Sequence, residues 1–381
     1  MIPYSRQHLT EDDISAVVEV LKSDLLTQGP IVPQFEERLA NYCQAKHSVA
    51  VSSGTAALHV ACLALGIGQS DIVWVSAVSF VASANCAAYC NATIKFIDVQ
   101  ADSGLICPQA LHQELALAKQ AGQLPKLLIV VHLAGQVCDM QAIAAICLSF
   151  RIRIIEDASH ALSSRYQHRP VGCCEYSDIA VFSFHPVKPI TCGEGGALTT
   201  NCRLLADNAR KFASHGIEKR LEHFLYASPG PWYYEQHELG YNYRLSDIHA
   251  ALGCSQLGRL DEALAERTRL ATLYDRHLEN LQVSVQARST DCQSSFHLYI
   301  LLLQNTEQRE RVFLNLRDLG YGVNLHYLLI PDQPFYKSKG NDGHQFPGAQ
   351  KYSSRAVSLP LHVGLPASVI EDVVASIASS L

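Results

Sequence analysis

Residues 49–65 read VAVSSGTAALHVACLAL, and this stretch decides the fold. Val49-Ala50-Val51 is a short apolar run suited to a buried strand, and Ala56 to Leu65 is an Ala/Leu-rich helical segment. The turn between them, Ser52-Ser53-Gly54-Thr55, carries small hydroxyl side chains and one glycine. Working outward, strand candidates recur at Ile72–Val75, Ile94–Ile97, Leu127–Val131, Ile152–Ile155 and Ile179–Phe182, with helical segments between most of them. Uninterrupted apolar strands alternating with helices predict an α/β fold with a mainly parallel sheet covered on both faces. In such sheets ligands collect at the carboxyl ends of the strands.

The texture changes after residue 245. Leu260, Leu264, Ala271, Tyr274, Leu278 and Leu281 mark one face of a long helix. Beyond it come Phe296–Leu303, a polar helix over Glu307–Leu319, a strand candidate at Gly322–Leu325 and a closing helix after Pro366. The expected organisation is a large domain over residues 1–245, with an N-terminal arm over 1–30, and a smaller α+β domain over 246–381. Lys337–Gln350, rich in Gly, Lys, Asp and Gln, reads as a mobile loop.

The chain has 381 residues, 48% hydrophobic and 17% charged, enough to bury a large core. Its net charge of −6 argues against general binding to nucleic acid or a membrane surface, both of which need a basic footprint. Thirteen cysteines at irregular spacing, without a leading apolar signal segment, read as reduced thiols in a cytoplasmic protein. Neither C-x-x-C nor HExxH spacing occurs, and no metal site is expected. Cys86 and Cys90 can share a helix face, but among Ala and Val they read as small buried hydrophobes. Ile72 to Ile94 has no charged residue, yet its serines and asparagines fit a buried strand, a polar loop and a helix better than a membrane span.

The residues that carry chemistry fall at the strand ends. Backbone N–H groups at the helix start after Ser52–Thr55 make a phosphate cup, although an ordinary N-cap is an equal reading of this motif alone. Glu156-Asp157-Ala158-Ser159-His160 places two carboxylates after a buried strand, where one can hold a protonated ring nitrogen. Phe182-Ser183-Phe184-His185-Pro186-Val187-Lys188-Pro189 sets a lysine in an apolar, proline-bounded turn before Gly193-Glu194-Gly195-Gly196. Desolvation lowers an amine's pKa and makes it a better nucleophile toward a carbonyl. With Phe80 as an aromatic face, these are the groups that pyridoxal phosphate requires.

The motifs also carry a resemblance. Leu26-Thr27-Gln28-Gly29-Pro30 with Phe35-Glu36, Ser52–Leu58, Glu156-Asp157-Ala158 and Ser183–Lys188 resemble the DegT/StrS sugar aminotransferases. So do Gly195-Gly196-Ala197, Gly240-Tyr241-Asn242-Tyr243-Arg244 and Ala250–Gly253, and the match runs nearly end to end. The resemblance implies fold type I, the architecture of aspartate aminotransferase, with pyridoxal 5′-phosphate as cofactor. It makes Lys188 the lysine that carries the cofactor and serves as general base, and Asp157 the partner of the pyridine nitrogen. It gives Gly54, Thr55 and Ser183 to the phosphate, stacks Phe80 on the ring and sets His160 nearby. Asn242 would reach the phosphate of the neighbouring subunit's cofactor, implying a homodimer with shared sites. Arg244, His326 and Tyr327 would face substrate.

Within the family, Leu26–Pro30, Ser183–Thr191 and Asn242–His249 most resemble the pseudaminic acid branch. That implies amination at C4 of a UDP-linked 4-keto-6-deoxy-L-AltNAc, with L-glutamate as donor and UDP-4-amino-4,6-dideoxy-N-acetyl-β-L-altrosamine as product. The rivals are a transaminase of another keto-sugar nucleotide and a non-catalytic pyridoxal-phosphate-binding regulator. Lys188 argues against the dehydratase branch, where a histidine replaces it. Two departures bear on the sugar. Ala77 stands where the family usually has proline, and His326-Tyr327-Leu328-Leu329-Ile330-Pro331 lacks a proline and a second histidine of the family's H-Y-x-P-x-H segment.

Overall fold

A computed structural model describes residues 1–381. Its main sheet has seven strands: β1 (His47–Val51), β2 (Ile72–Ser76), β3 (Thr93–Ile97), β4 (Leu127–Val131), β5 (Arg153–Asp157), β6 (Ile179–Ser183) and β7 (Gly196–Thr200). Their order is β1-β7-β6-β5-β4-β2-β3. Only β7 runs against its neighbours, pairing antiparallel with β1 and β6. The expected α/β class and mainly parallel sheet are therefore present. β5 ends later than the apolar run suggests, so that Asp157 is its last residue.

Sequence reasoning missed β7. Gly-Ala-Leu-Thr-Thr has neither an apolar β-branched run nor strict alternation, and it follows a glycine loop. The strand is buried throughout because it fills the gap between β1 and β6. Its threonines are accommodated by hydrogen bonds, from Thr199 Oγ1 to the Gly172 carbonyl at 2.8 Å and from Thr200 Oγ1 to the Asp178 carbonyl at 2.7 Å.

Eight helices accompany this part: α1 (Glu11–Leu21), α2 (Ile31–Cys43), α3 (Gly54–Ala64), α4 (Ala82–Tyr89), α5 (Pro108–Gln120), α6 (Met140–Phe150), α7 (Arg203–Ala213) and α8 (Asp247–Leu257). α3 is rich in alanine, and most of its residues are buried. The small side chains let it pack at once on β6 and β7, on α4 and on α7. The uncharged stretch from Ile72 resolves into β2, a turn, α4 and β3, and no helix is long and apolar enough to cross a membrane.

A second, smaller core lies toward the C-terminus. It is built from α9 (Leu260–Leu278), β8 (Ser284–Val285), β9 (Tyr299–Leu302), α10 (Thr306–Asp318), β10 (Ala356–Leu359) and α11 (Ala367–Ala378), with sheet order β8-β9-β10. On α9, Leu260, Ala271, Tyr274 and Leu278 are buried as their spacing predicts, whereas Leu264 is half-buried and Leu281 lies beyond the helix. The strand expected at Gly322–Leu325 is shorter and earlier. Tyr321–Gly322 pairs in parallel with Ile2–Pro3, Val323 turns back through an N–H bond to the Tyr321 carbonyl, and Asn324 then makes a single antiparallel bridge with Ser358.

Lys337–Gln350 also departs from its reading as a loop. The region folds into short helical turns, Pro334–Lys337, Gly343–Gln345 and Pro347–Ser353. Asp98 accepts the N–H groups of Gly348 and Ala349 at 2.9 and 2.8 Å. A carboxylate some 250 positions away in sequence thus caps this segment, and composition alone cannot reveal such a partner.

Phe35 of α2 is fully buried, with its ring edge-on to Phe184 at 5.3 Å between centroids. Phe184 opens the turn that leads to Lys188, so this contact supports the site as well as the core. Phe35→Ala is expected to cost about 3–5 kcal/mol of unfolding free energy, read from urea denaturation. A loss below about 1 kcal/mol would mean that the surroundings collapse to fill the space.

Candidate active site

A cavity of about 430 Å3 opens at the carboxyl edge of the main sheet. Gly54, Thr55, Phe80, Asp157, His160, Ser183, Lys188, His326 and Tyr327 all line it. Of the residues that the family resemblance assigns to cofactor or substrate, Asn242 and Arg244 lie elsewhere. Asn242 pairs by backbone with Ser214, and Arg244 Nη1 donates to Ser214 Oγ at 3.3 Å.

One wall is an anion cup. Ser53 caps α3, its Oγ accepting the Ala56 N–H at 3.0 Å. The N–H groups of Gly54 and Thr55 find no acceptor within the chain, and the first turn holds no acidic residue. Free N–H groups at the positive end of a helix favour an anion. Ser183, at the end of β6, faces this helix start. A Cβ on Gly54 would stand 2.8 Å from the Ser183 Cβ, and one on Gly196 would stand 2.3 Å from the Ser53 backbone. The two glycines therefore set how closely the cup, β6 and β7 approach.

The opposite wall is a fixed carboxylate. Asp157 Oδ2 accepts from Ser83 Oγ at 2.6 Å, while Oδ1 accepts from Ser159 Oγ at 2.6 Å and from the Ser159 N–H at 3.2 Å. Ser83 Oγ in turn lies 2.6 Å from Ser79 Oγ. Glu156, on the alternate face of the strand, is directed away from the cavity. It pairs with His132 at 2.7 Å and accepts from Ser177 Oγ at 2.5 Å. Burial opposes a charge on His132, but Cys138 and Glu156 outweigh it and push the imidazole up to about 10.

Lys188 sits in a turn held from several directions. Its N–H donates to the His185 carbonyl at 2.9 Å, and Ser5 Oγ donates to the Val187 carbonyl at 2.9 Å. Burial pulls the amine down to about 8, against the opposing pull of Asp157. The residue keeps some surface because the cavity is open, but its walls strip the amine of much of its hydration.

His160 and His326 are held neutral. His160 Nδ1 accepts the Ala134 N–H at 3.2 Å, leaving Nε2 to carry the proton toward the Tyr327 hydroxyl at 3.1 Å. Burial, with Lys188 and His326 beside it, holds His160 well below the ordinary imidazole value. Burial likewise holds His326 down to about 3. Phe80 is 56% exposed, and its ring lies 6.2 Å from that of Tyr327, so an apolar face is offered to the cavity.

Sequence reasoning missed the clamp on Asp157 and two further lining residues. Ser79 and Ser83 are four apart, a spacing that hints at a shared helix face but not at its target. Tyr4 and Asn324, from opposite ends of the chain, also line the cavity. The two departures from the family pattern meet in space, where the Ile330 N–H donates to the Ala77 carbonyl at 3.0 Å beside a Val78–Leu329 bridge.

These residues fit pyridoxal 5′-phosphate. The cup suits its phosphate, the clamped carboxylate its pyridine nitrogen, and the desolvated amine its aldehyde carbon. Because only the neutral amine is a nucleophile, loading of cofactor-free protein is expected to speed up about tenfold per pH unit below pH 8 and to level off above it. Absorbance in the visible range follows the loading. A rate still rising near pH 10 would assign Lys188 an ordinary lysine pKa. Lys188→Ala is expected to show no such band at any pH.

The comparisons with known proteins agree with this geometry. Residues 7–378 match the model of the DegT/DnrJ/EryC1/StrS aminotransferase family. The chain is 37% identical over 366 residues to the UDP-4-amino-4,6-dideoxy-N-acetyl-β-L-altrosamine transaminase of Campylobacter jejuni, covering 95% of this chain and 93% of that one. It is 34% identical to the spore coat polysaccharide biosynthesis protein SpsC of Bacillus subtilis, covering 99% and 96%. Among solved structures, Helicobacter pylori PseC, an aminotransferase of pseudaminic acid biosynthesis, superposes with a TM-score of 0.90 at 28% identity, covering 100% of this chain and 98% of PseC. A Streptococcus pneumoniae sugar aminotransferase in its PMP form gives a TM-score of 0.92 at 29% identity, covering 100% and 99%.

Proposed function

Because the chain belongs to the DegT/DnrJ/EryC1/StrS aminotransferase family and is a pyridoxal-phosphate-dependent sugar aminotransferase, we propose its particular reaction. It moves the amino group of L-glutamate to C4 of a UDP-linked 4-keto-6-deoxy-L-AltNAc. The product is UDP-4-amino-4,6-dideoxy-N-acetyl-β-L-altrosamine. The 37% identity to the Campylobacter jejuni enzyme over nearly the whole chain carries this reading.

When bound, pyridoxal phosphate supplies an electron sink for the carbanion that proton removal creates. The chain supplies the rest. The Gly54 and Thr55 N–H groups and the Ser183 hydroxyl bind the phosphate. Asp157, fixed by Ser83 and Ser159, keeps the pyridine nitrogen protonated. Lys188 Nζ, once released by the donor, takes the proton from the glutamate α-carbon and in the second half-reaction delivers one to C4 of the sugar. An amine shifted to about 8 suits both duties near neutral pH. His326 and Tyr327 face the sugar. Thirteen free cysteines suit a cytoplasmic setting.

A second reading, amination of another keto-sugar nucleotide, has one observation in its favour. The altered segment after Tyr327 rests on Ala77, so the two departures meet beside Phe80 and Tyr327, which line the cavity. One assay separates the readings. Purified holoenzyme given L-glutamate and UDP-4-keto-6-deoxy-L-AltNAc is expected to form 2-oxoglutarate and the amino sugar in equal amounts. Conversion of glutamate without sugar amination would favour the other substrate. Absence of both would leave only a cofactor-binding regulator.

The active unit is a homodimer with shared sites. Asn242 and Arg244 lie outside their own chain's cavity, and Asn242 is exposed. Leu221, Leu225, Tyr226, Trp232 and Leu239 form an exposed apolar segment just before them, the kind of surface that a partner covers. Light scattering is expected to give twice the 41.8 kDa chain mass. Losing a hydrogen bond to a phosphate costs about 1.5–3 kcal/mol, so Asn242→Ala is expected to weaken cofactor binding roughly 10- to 100-fold. A fully active monomer would overturn the shared site.

A further inference from the structure

A second, much smaller cavity of about 20 Å3 lies behind the turn that carries Lys188, and Lys188 lines both. Its walls come from three parts of the chain. The N-terminal arm supplies Arg6, the turn after β6 supplies Thr191, and the α8–α9 region supplies Gln256, Arg259 and Arg267. Arg259, Ala263 and Arg267 are spaced by four, so they share one face, and the alanine between two long side chains leaves the space. No carboxylate lines it.

The charges in these walls do not balance. Arg267 is 3% exposed and meets no carboxylate. Its Nη1 donates to the carbonyls of Phe296 at 3.3 Å, His297 at 3.4 Å and Leu361 at 3.1 Å. Its Nε is buried without a partner, and Nη2 takes no part in those bonds. Arg259 pairs with Asp13, yet its buried Nε also has no partner. Arg6 is exposed and brings a third guanidinium to the same cavity. The neutral polar walls are already engaged. Thr191 Oγ1 donates to the Phe184 carbonyl at 3.1 Å, and Gln256 Nε2 donates to the His8 carbonyl at 3.0 Å and to Asp13 at 2.8 Å. A guanidinium stays charged when buried, and a buried charge without a counter-charge is costly.

We propose that this cavity binds one small monovalent anion, with chloride as its probe, held by the guanidinium groups of Arg6, Arg259 and Arg267. About 10–15 Å3 is needed to admit a water-sized sphere. The space therefore suits a single monatomic ion and is too small for sulfate or phosphate. A water molecule fills the same volume, but it leaves the positive charge uncompensated. The anion supplies what the walls lack, an acceptor that carries negative charge.

The position gives the ion a structural consequence. The arm that brings Arg6 also brings Ser5, whose Oγ holds the Val187 carbonyl, and Tyr4, which lines the active-site cavity. Arg267 fastens the Phe296–His297 backbone, and the His297 ring lies 4.4 Å from that of His160. An ion shared by Arg6 and Arg267 ties the arm to α9 beside the lysine turn.

The test uses holoenzyme dialysed into gluconate and titrated with chloride at constant ionic strength. An anion held only by the folded chain raises the melting temperature by mass action. The expected rise is a few degrees and saturates, bromide reproduces it, and sulfate gives no saturating rise. Crystals soaked in bromide are expected to show one anomalous peak among Arg6, Arg259 and Arg267. Arg267→Gln is expected to abolish the chloride response. Should that variant fold poorly, Arg6→Ala, at an exposed position, is expected to raise the chloride midpoint roughly tenfold. Only water in the bromide-soaked cavity, or a chloride response that never saturates and survives Arg6→Ala unchanged, would overturn the proposal.

Discussion

A negative charge held still at the end of β5 is the constraint about which this cavity is arranged. Asp157 cannot swing, because Ser83 holds one carboxylate oxygen and Ser159 holds the other. The donors come from different elements, one from α4 and one from the turn after β5. The carboxylate is thus aimed by the packing of α4 onto the sheet, not by its own backbone alone. Opposite it, Lys188 is kept short of water, and the amine is neutral in a useful fraction of molecules near neutral pH. Charge on one side and withheld charge on the other give the cavity its polarity.

Much of this was legible in the sequence, and for a definable reason. Groups set by local chemistry announce themselves: Ser53-Gly54-Thr55 between a strand and a helix, Asp157 after an apolar run, and Lys188 between prolines. Each is fixed mainly by its neighbours in the chain, and all of them line the cavity. Most of the six strands read from apolar runs were legible because strands buried on both faces carry near-continuous apolar runs, and the edge strand β3 keeps enough of that pattern around its half-buried Lys95.

What escaped was set by distant partners. β7 is a strand because a gap between β1 and β6 awaits it, and Gly-Ala-Leu-Thr-Thr carries little strand signal of its own. The short helix Pro347–Ser353 is capped by Asp98, which no local pattern links to it. Ser83 is an ordinary helical serine until α4 is laid beside β5.

The two-residue pairing of Ile2–Pro3 with Tyr321–Gly322 has a consequence for the order in which the molecule is completed. Tyr4, next along that arm, forms part of the cavity wall, as does Asn324 on the other side of the pairing. On a ribosome the arm is made long before its partner strand. A nascent chain that has already formed the main sheet therefore has an unfinished cavity. The cavity wall is complete only when two segments far apart in the sequence have met.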